Sequence, residues 1–264
     1  MSSEPLAFPL PPLDSVRVVI LAGGKGTRLK PYTTVFPKPL MPIGDMPILE
    51  VVLRRLRACG FRKITISVNH LADLIRTFFR DGAALGLDIT YCMEDQPLGT
   101  AGSLALVDDL TDPFMVLNGD LLTTFDFESA IRHHIGGGAM ATIGVFPREV
   151  PIDFGVLETG PDRSLVRYVE KPVYRYEVSM GINIFKRDVL RYIPNGRPLN
   201  IPDLMMALKH DGQKVMTFLD DCEWLDIGRP DDYEAASVLF GLLVTGASSF
   251  SAARCCGRWR ETRR

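Results

Sequence analysis

Apolar and polar positions alternate between two periods along the chain. The largely apolar run 16–21 reads as a strand buried on both faces. After a loop come Ile48, Val51, Val52, Leu53 and Leu56, whose three-to-four spacing predicts a helix ending at Gly60. The alternation repeats with strands at 64–68, 89–92 and 114–117 and helices at 72–80 and 101–110. Such a succession predicts an α/β fold, a Rossmann-like, mixed and mostly parallel sheet flanked by helices. Past Met140, shorter strand-like segments at 141–146, 155–158, 164–169 and 181–185 are interrupted by helical candidates near 188–193 and 202–210. Neither a repeat nor a linker divides the two halves, so one domain is expected over 15–244, between a proline-broken flank at 1–14 and a tail at 245–264.

Composition narrows the class. At 46% hydrophobic and 23% charged residues the chain has an ordinary globular balance, which excludes a disordered or fibrous protein. Its longest apolar runs, 18–22 and 238–244, are too short to cross a bilayer, and the first residues lack the order of a secretory signal. No membrane partner is expected, and the cytoplasm is the expected compartment. The five cysteines have no paired spacing, which points to reduced thiols rather than disulfides or a zinc site. A net charge of -2 gives no basic field for nucleic acid. The tail is locally basic, with five arginines against one glutamate, yet its Ser, Ala, Gly and Arg content is that of a poorly ordered extension. His70, His133, His134 and His210 have no metal-ligand spacing.

Ligands of open α/β sheets bind outside the carboxyl ends of the strands, so chemistry is sought there. Directly after the first strand stand Leu21, Ala22, Gly23, Gly24, Lys25, Gly26, Thr27 and Arg28. Glycines free of side-chain bulk expose backbone N–H groups that cradle anions, and Lys25 and Arg28 add positive charge. A tight turn is the plain alternative. Two named phosphate loops fail here: Lys25, Gly26 and Thr27 are in the wrong order for a Walker A loop, and Leu29 stands where a dinucleotide fingerprint needs its third glycine. Farther on, Pro37, Pro39 and Pro42 stiffen the backbone around Lys38, a fixed point charge suited to phosphate. Asp120 follows the strand 114–117, and Asp226 stands in the segment WLDIG. Each alone suits a turn or cap. Together they suit Mg2+, which takes oxygen ligands from one or two carboxylates and from substrate phosphates.

The segments GGKGTRLKPYT, FPKPLMPI and MPILE resemble the signature of the sugar-1-phosphate nucleotidylyltransferases, and further segments match in order over roughly residues 16–240. The resemblance implies a nucleotide-diphospho-sugar transferase type of fold, here without the C-terminal β-helix of longer members. It implies nucleotide binding by Leu21, Ala22, Gly23, Gly24, Gly26, Thr27 and Arg28, by Glu94, Pro97, Gly99 and Thr100 in the segment EDQPLGTAG, and by Asn118 and Asp120. On the sugar-phosphate side it implies Lys38, Gly119, Gly155, the Glu170 and Lys171 of EKP, Ser179 and Gly181. Arg28 and Lys38 are the expected catalytic cations, and Asp120 and Asp226 the Mg2+ ligands. The LGTAG form resembles guanylyltransferases most, and a carboxylate such as Glu94 would accept the N–H donors of guanine; it could equally face solvent. Ser179, Met180 and Gly181 depart from the family's usual Asn-Ala-Gly, which leaves the sugar open.

The expected partners are a nucleoside triphosphate, GTP favoured, and a sugar 1-phosphate, mannose 1-phosphate favoured, with a homo-oligomer left open. Alternatives are a dTTP- or UTP-dependent enzyme for glucose 1-phosphate, an enzyme for an unusual sugar or cyclitol phosphate, and a non-catalytic nucleotide-sugar-binding regulatory subunit. A nicotinamide-dependent oxidoreductase would rest on the strand and glycines alone.

Overall fold

The computed structural model describes residues 9–24, 26, 29, 33, 36–69, 71–228, 232, 233 and 236. Lys25, Thr27, Arg28, His70 and the tail at 245–264 therefore lie outside the described residues. In chain order the elements are β1 (Val18–Leu21), β2 (Pro42–Ile43), β3 (Met46–Pro47), α1 (Ile48–Ala58), β4 (Lys63–Val68), α2 (Ala72–Phe79), β5 (Asp88–Met93) and α3 (Gly99–Gly102). They continue with β6 (Phe114–Asn118), β7 (Leu121–Thr123), α4 (Phe127–Gly137), β8 (Ala141–Pro151), β9 (Val156–Thr159), β10 (Leu165–Val169), β11 (Val173–Phe185), α5 (Ile201–His210), β12 (Val215–Leu219) and β13 (Trp224–Asp226).

Seven strands form one sheet in the order β12-β8-β11-β6-β1-β4-β5, in which β11 runs against the other six. Val18, Val19 and Ile20 of β1 are fully buried because they face helices on both sides. Val18 and Ile20 join Ile64 and Ile66 against Val52, Leu53 and Leu56 of α1, Ile75 and Phe79 of α2, and Ala130 and Ile131 of α4. Val19 and Val116 point the other way, onto Ala101 and Leu104 and onto Leu204 and Leu208 of α5. Alternate residues of one strand thus feed two cores, as strict period-two geometry demands.

Three small pairings complete the fold: β2 with β3, β9 with β10, and β7 with β13, all antiparallel. A third apolar cluster of Leu29, Met41, Ile43, Ile48, Leu122 and Ile227 lies under the β7/β13 pair and ties it to β2 and α1. Among the described residues no helix is long and apolar enough to cross a membrane.

Several features differ from the sequence expectation, among them the 3-10 rather than α-helical turn over Arg187–Tyr192 and the unannounced strands β2, β3, β7, β12 and β13. The expected helix at 101–110 is a short α3 and a 3-10 turn over Ser103–Leu106. Its backbone is held from outside instead, Ala101 N–H donating to the Leu199 carbonyl at 2.9 Å and Leu199 N–H to that of Leu98 at 2.8 Å. Next, α4 is a full helix that the periodicity does not announce. Its start is fixed by Asp126, whose carboxylate accepts from Ser129 N–H at 3.0 Å, and its end by Gly138 at φ 62°. Finally, β11 begins eight residues before the expected 181, pairing with the outer half of β8 as an exposed two-stranded arm.

His134 of α4 is 1% exposed and bonded through Nδ1 to Thr142 Oγ1 at 2.9 Å. Burial first, then the nearby Lys186 and His133, push its pKa down to about 4 from 6.5. Between these values the unfolded chain binds a proton that the folded one refuses. Stability therefore falls as pH drops from 6.5 to 4, by about 3 kcal/mol from this residue at roughly 1.4 kcal/mol per unit. Urea unfolding across that range should show a shallower pH slope for His134→Gln than for the parent; equal slopes would refute this account.

Candidate active site

Three backbone bonds set the heights of the strand ends around the cleft. Leu21 lies beside Ser67 of β4 and Asn118 of β6 in the sheet register. Just beyond, Ala22 N–H donates to the Ser67 carbonyl at 2.8 Å, Gly119 N–H to that of Leu21 at 3.0 Å, and Glu94 N–H to that of Val68 at 3.2 Å. The chain runs from β1 outward to β4 and β5 and then returns to β6 on the other side of β1, so these carboxyl ends flank a switch point of strand order. There a cavity of about 340 Å³ opens, lined on its floor by Leu21, Ala22, Gly23, Gly24, Asn118, Gly119 and Asp120. Lys38, Glu94, Pro97, Gly99 and Thr100 line it too.

Gly119 packs closely here: a Cβ would stand 3.2 Å from Ile20 Cγ2 and from the Leu21 carbonyl oxygen. Among the described residues nothing lies within 4 Å of where a Gly24 side chain would be. Gly26, at φ +57°, folds the loop back so closely that a Cβ would stand 3.2 Å from Lys38 Cβ. Thr33 locks this return, its hydroxyl donating to the Gly26 carbonyl at 2.7 Å.

Lys38 opens a 3-10 turn, Lys38–Leu40, preceded by Pro37 and held by Leu40 N–H donating to the Pro37 carbonyl at 2.9 Å. Its ammonium pairs with the Asp120 carboxylate, both side chains being mostly buried. Asp226 is exposed and does not line the cavity, but its backbone runs close by. In the β7/β13 register it stands opposite Leu121, and Ile227 N–H donates to the Asp120 carbonyl at 3.2 Å. Fully buried Ile227 and nearly buried Leu122 anchor that pairing.

Among the described residues no three His, Cys, Asp or Glu side chains are grouped to hold a metal ion. Asp120 offers a hard oxygen donor that already attracts a cation, and Asp226 carries a second on the strand paired beside Leu121; such donors fit a divalent ion that completes its shell with ligand phosphates.

The opposite wall is built around Glu94. Its Oε1 accepts from the Ser67 hydroxyl and its Oε2 from Leu98 N–H, both at 2.9 Å. Thr100 is engaged in the scaffold, its hydroxyl accepting from Ile201 N–H at 2.9 Å. Gly99, at φ +73°, lies so near the Leu199 carbonyl that a Cβ would approach to 2.6 Å.

The sugar-side residues are distributed differently. Gly181, at φ +73°, sits against Asn118, where a Cβ would come 2.5 Å from Nδ2. Trp224 fixes this corner, its indole N–H donating to the Met180 carbonyl at 3.2 Å and its ring lying 5.5 Å from that of Phe146. Ser179 is exposed two residues earlier. Gly155, Glu170 and exposed Lys171 do not line the cavity and belong to the β9/β10 hairpin and its exit. There Glu170 accepts from the Tyr168 hydroxyl at 3.0 Å.

Pro39 of FPKPLMPI lines the cavity too, and Ser67, Asn69 and Ser103 line it without a motif to announce them. Ser67 and Asn69 stand at the carboxyl end of β4, the location to which α/β topology itself directs attention. Ser103, 1% exposed, has a hydroxyl with no partner among the described residues.

Comparison with known proteins agrees with this geometry. The chain is 36% identical over 238 residues to the UTP–glucose-1-phosphate uridylyltransferase of Synechocystis, covering 83% of this chain and 61% of that protein. It is 34% identical over 228 residues to the mannose-1-phosphate guanylyltransferase of Mycobacterium tuberculosis, covering 84% and 64%. The chain thus spans less than two thirds of the length of these relatives. HddC of Yersinia pseudotuberculosis, solved with GMP-PN, superposes with a TM-score of 0.66 at 26% identity, covering 85% of this chain and 99% of that one. The family model described as nucleotidyl transferase matches residues 17–240, and the chain belongs to that family.

Proposed function

We propose that the chain is a sugar-1-phosphate nucleotidylyltransferase that uses Mg2+ and joins a nucleoside triphosphate to a sugar 1-phosphate, releasing pyrophosphate. One observation supports this reading: a glycine-lined cavity containing the Lys38 and Asp120 pair opens at a switch point of strand order, and Asp226 stands on the strand that pairs beside it. The named activities of both relatives support it. GTP and mannose 1-phosphate are the favoured pair, supported by the guanylyltransferase relative and by the guanine nucleotide in the HddC structure. The uridylyltransferase relative favours UTP and glucose 1-phosphate as the second reading.

In this reaction a phosphate oxygen of the sugar 1-phosphate attacks the α-phosphorus, and the bond from that phosphorus to the bridging oxygen of the β-phosphate breaks. Two anions must approach, so the protein's task is positioning and charge neutralisation. Backbone N–H groups of the Gly23 and Gly24 loop hold the triphosphate, joined by Arg28. Lys38 meets the incoming sugar phosphate, and its proline-bounded turn keeps the ammonium from following the substrate. Asp120 and Asp226 hold the divalent ion, which when bound neutralises phosphate charge. Gly181, Glu170 and Lys171 contact the sugar phosphate.

Pyrophosphate release from a matrix of nucleoside triphosphates and sugar 1-phosphates should appear with Mg2+ and vanish with a chelator. Lys38→Ala and Asp226→Asn should each lower turnover roughly 100- to 1000-fold, with folded circular-dichroism spectra retained. Near-parental turnover in both variants would remove these roles.

A further inference from the structure

We propose that Ser67 is a positioning residue for base selection, holding Glu94 as a preorganised acceptor for the adjacent ring N–H and amino group of guanine. The inference rests on the nucleotidylyltransferase reading and specifies how its cavity chooses the base.

Ser67 is 1% exposed at the carboxyl end of β4, and its hydroxyl has Glu94 Oε1 as partner at 2.9 Å. Leu98 N–H holds Oε2 at the same distance, so the carboxylate is fixed at both oxygens, from β4 on one side and from the approach to α3 on the other. Each carboxylate oxygen has two acceptor positions, so one remains on each after these bonds. Gly23 carries no side chain beside Oε1, where a Cβ would come 3.6 Å from Oε1 and 3.4 Å from Asn69 Cβ. Glu94, Ser67, Asn69 and Gly23 all line the same cavity.

An ionised carboxylate only accepts. Guanine presents two neighbouring donors, N1–H and the N2 amino group, which match the two oxygens. Uracil and thymine present one N–H between two carbonyls, so a fixed carboxylate that takes this proton faces an acceptor with its other oxygen. Adenine's Watson–Crick edge likewise pairs one donor with an acceptor. Without Ser67 the carboxylate gains freedom to turn, and the advantage of guanine shrinks while the rest of the cavity is untouched.

The test measures kcat/KM for GTP, UTP, dTTP and ATP, with nucleotide binding followed separately by calorimetry, in the parent, Ser67→Ala, Ser67→Thr, Glu94→Gln and the Ser67→Ala/Glu94→Gln double variant. We expect the parent to prefer GTP. Ser67→Ala should lose roughly tenfold for GTP, mostly in KM, and change less than about threefold for the other three, as loss of a hydrogen bond to a charged group predicts. Ser67→Thr, which keeps the hydroxyl, should restore much of the preference. In the Glu94→Gln background Ser67→Ala should add little, because the two act as a unit. An equal loss for all four nucleotides would assign Ser67 to the scaffold and overturn the proposal, as would a parent preference for UTP, dTTP or ATP. Nucleotide binding without pyrophosphate release from any substrate pair would instead refute the catalytic reading, and the base order in calorimetry would still decide the role of Ser67.

Discussion

The register of β1 between β4 and β6 is the constraint on which the site depends. Leu21, Ser67 and Asn118 are level because three buried strands pair in parallel, and no side chain at the cleft is needed to hold them there. A one-residue slip would turn every core residue of β1 toward the wrong face, so two apolar clusters together enforce the alignment. Backbone groups just past the strand ends inherit that rigidity. Sites carried by strand termini hold their geometry better than sites carried by free loops.

Charge is placed by a second device. Asp120 follows β6 directly, whereas Asp226 and Lys38 must be delivered from far along the chain. Burial of Ile227 and Leu122 brings the first, and a turn bounded by Pro37 and Pro39 brings the second. The apolar cluster under β7 and β13 is small, yet it fixes the backbone that carries Asp226 beside the end of β6. Lys38 pairs with Asp120.

These arrangements were unequally legible in the sequence. Runs such as 64–68 and 114–117 identify themselves, because a strand covered on both faces must be apolar throughout. Helix α4 escaped notice because His133, His134 and Gly136 to Gly138 interrupt its apolar period, even though Asp126 and Gly138 are ordinary start and stop residues. The apolar spacing of 101–110 fits one helix, but residues 100–102 bond to Leu199 and Ile201, which are remote in sequence, and the segment continues as a 3-10 turn. The outer half of β11 carries exposed Tyr174 and Tyr176 and faces no core, so it has no burial pattern to detect. At the site, glycines, prolines and the two aspartates were readable as motifs. Ser67 was not, being a single small polar residue at the end of an apolar strand, whose partner Glu94 is set by the pairing of β4 with β5.

The two sides of the cleft are built to different standards. The nucleotide side rests on strand ends and on a segment stitched to residues 199–201, so its shape is that of the sheet. The residues expected on the sugar side stand largely on the β9/β10 hairpin and the exposed arm of β8 and β11, where Leu157, Val166, Tyr168 and Tyr176 are open to solvent. Changes on such an arm leave the core intact, and loops held by a rigid scaffold are where ligand choice varies most readily. The relatives fit this division. At 36% and 34% identity to this chain they are named for different bases and different sugars.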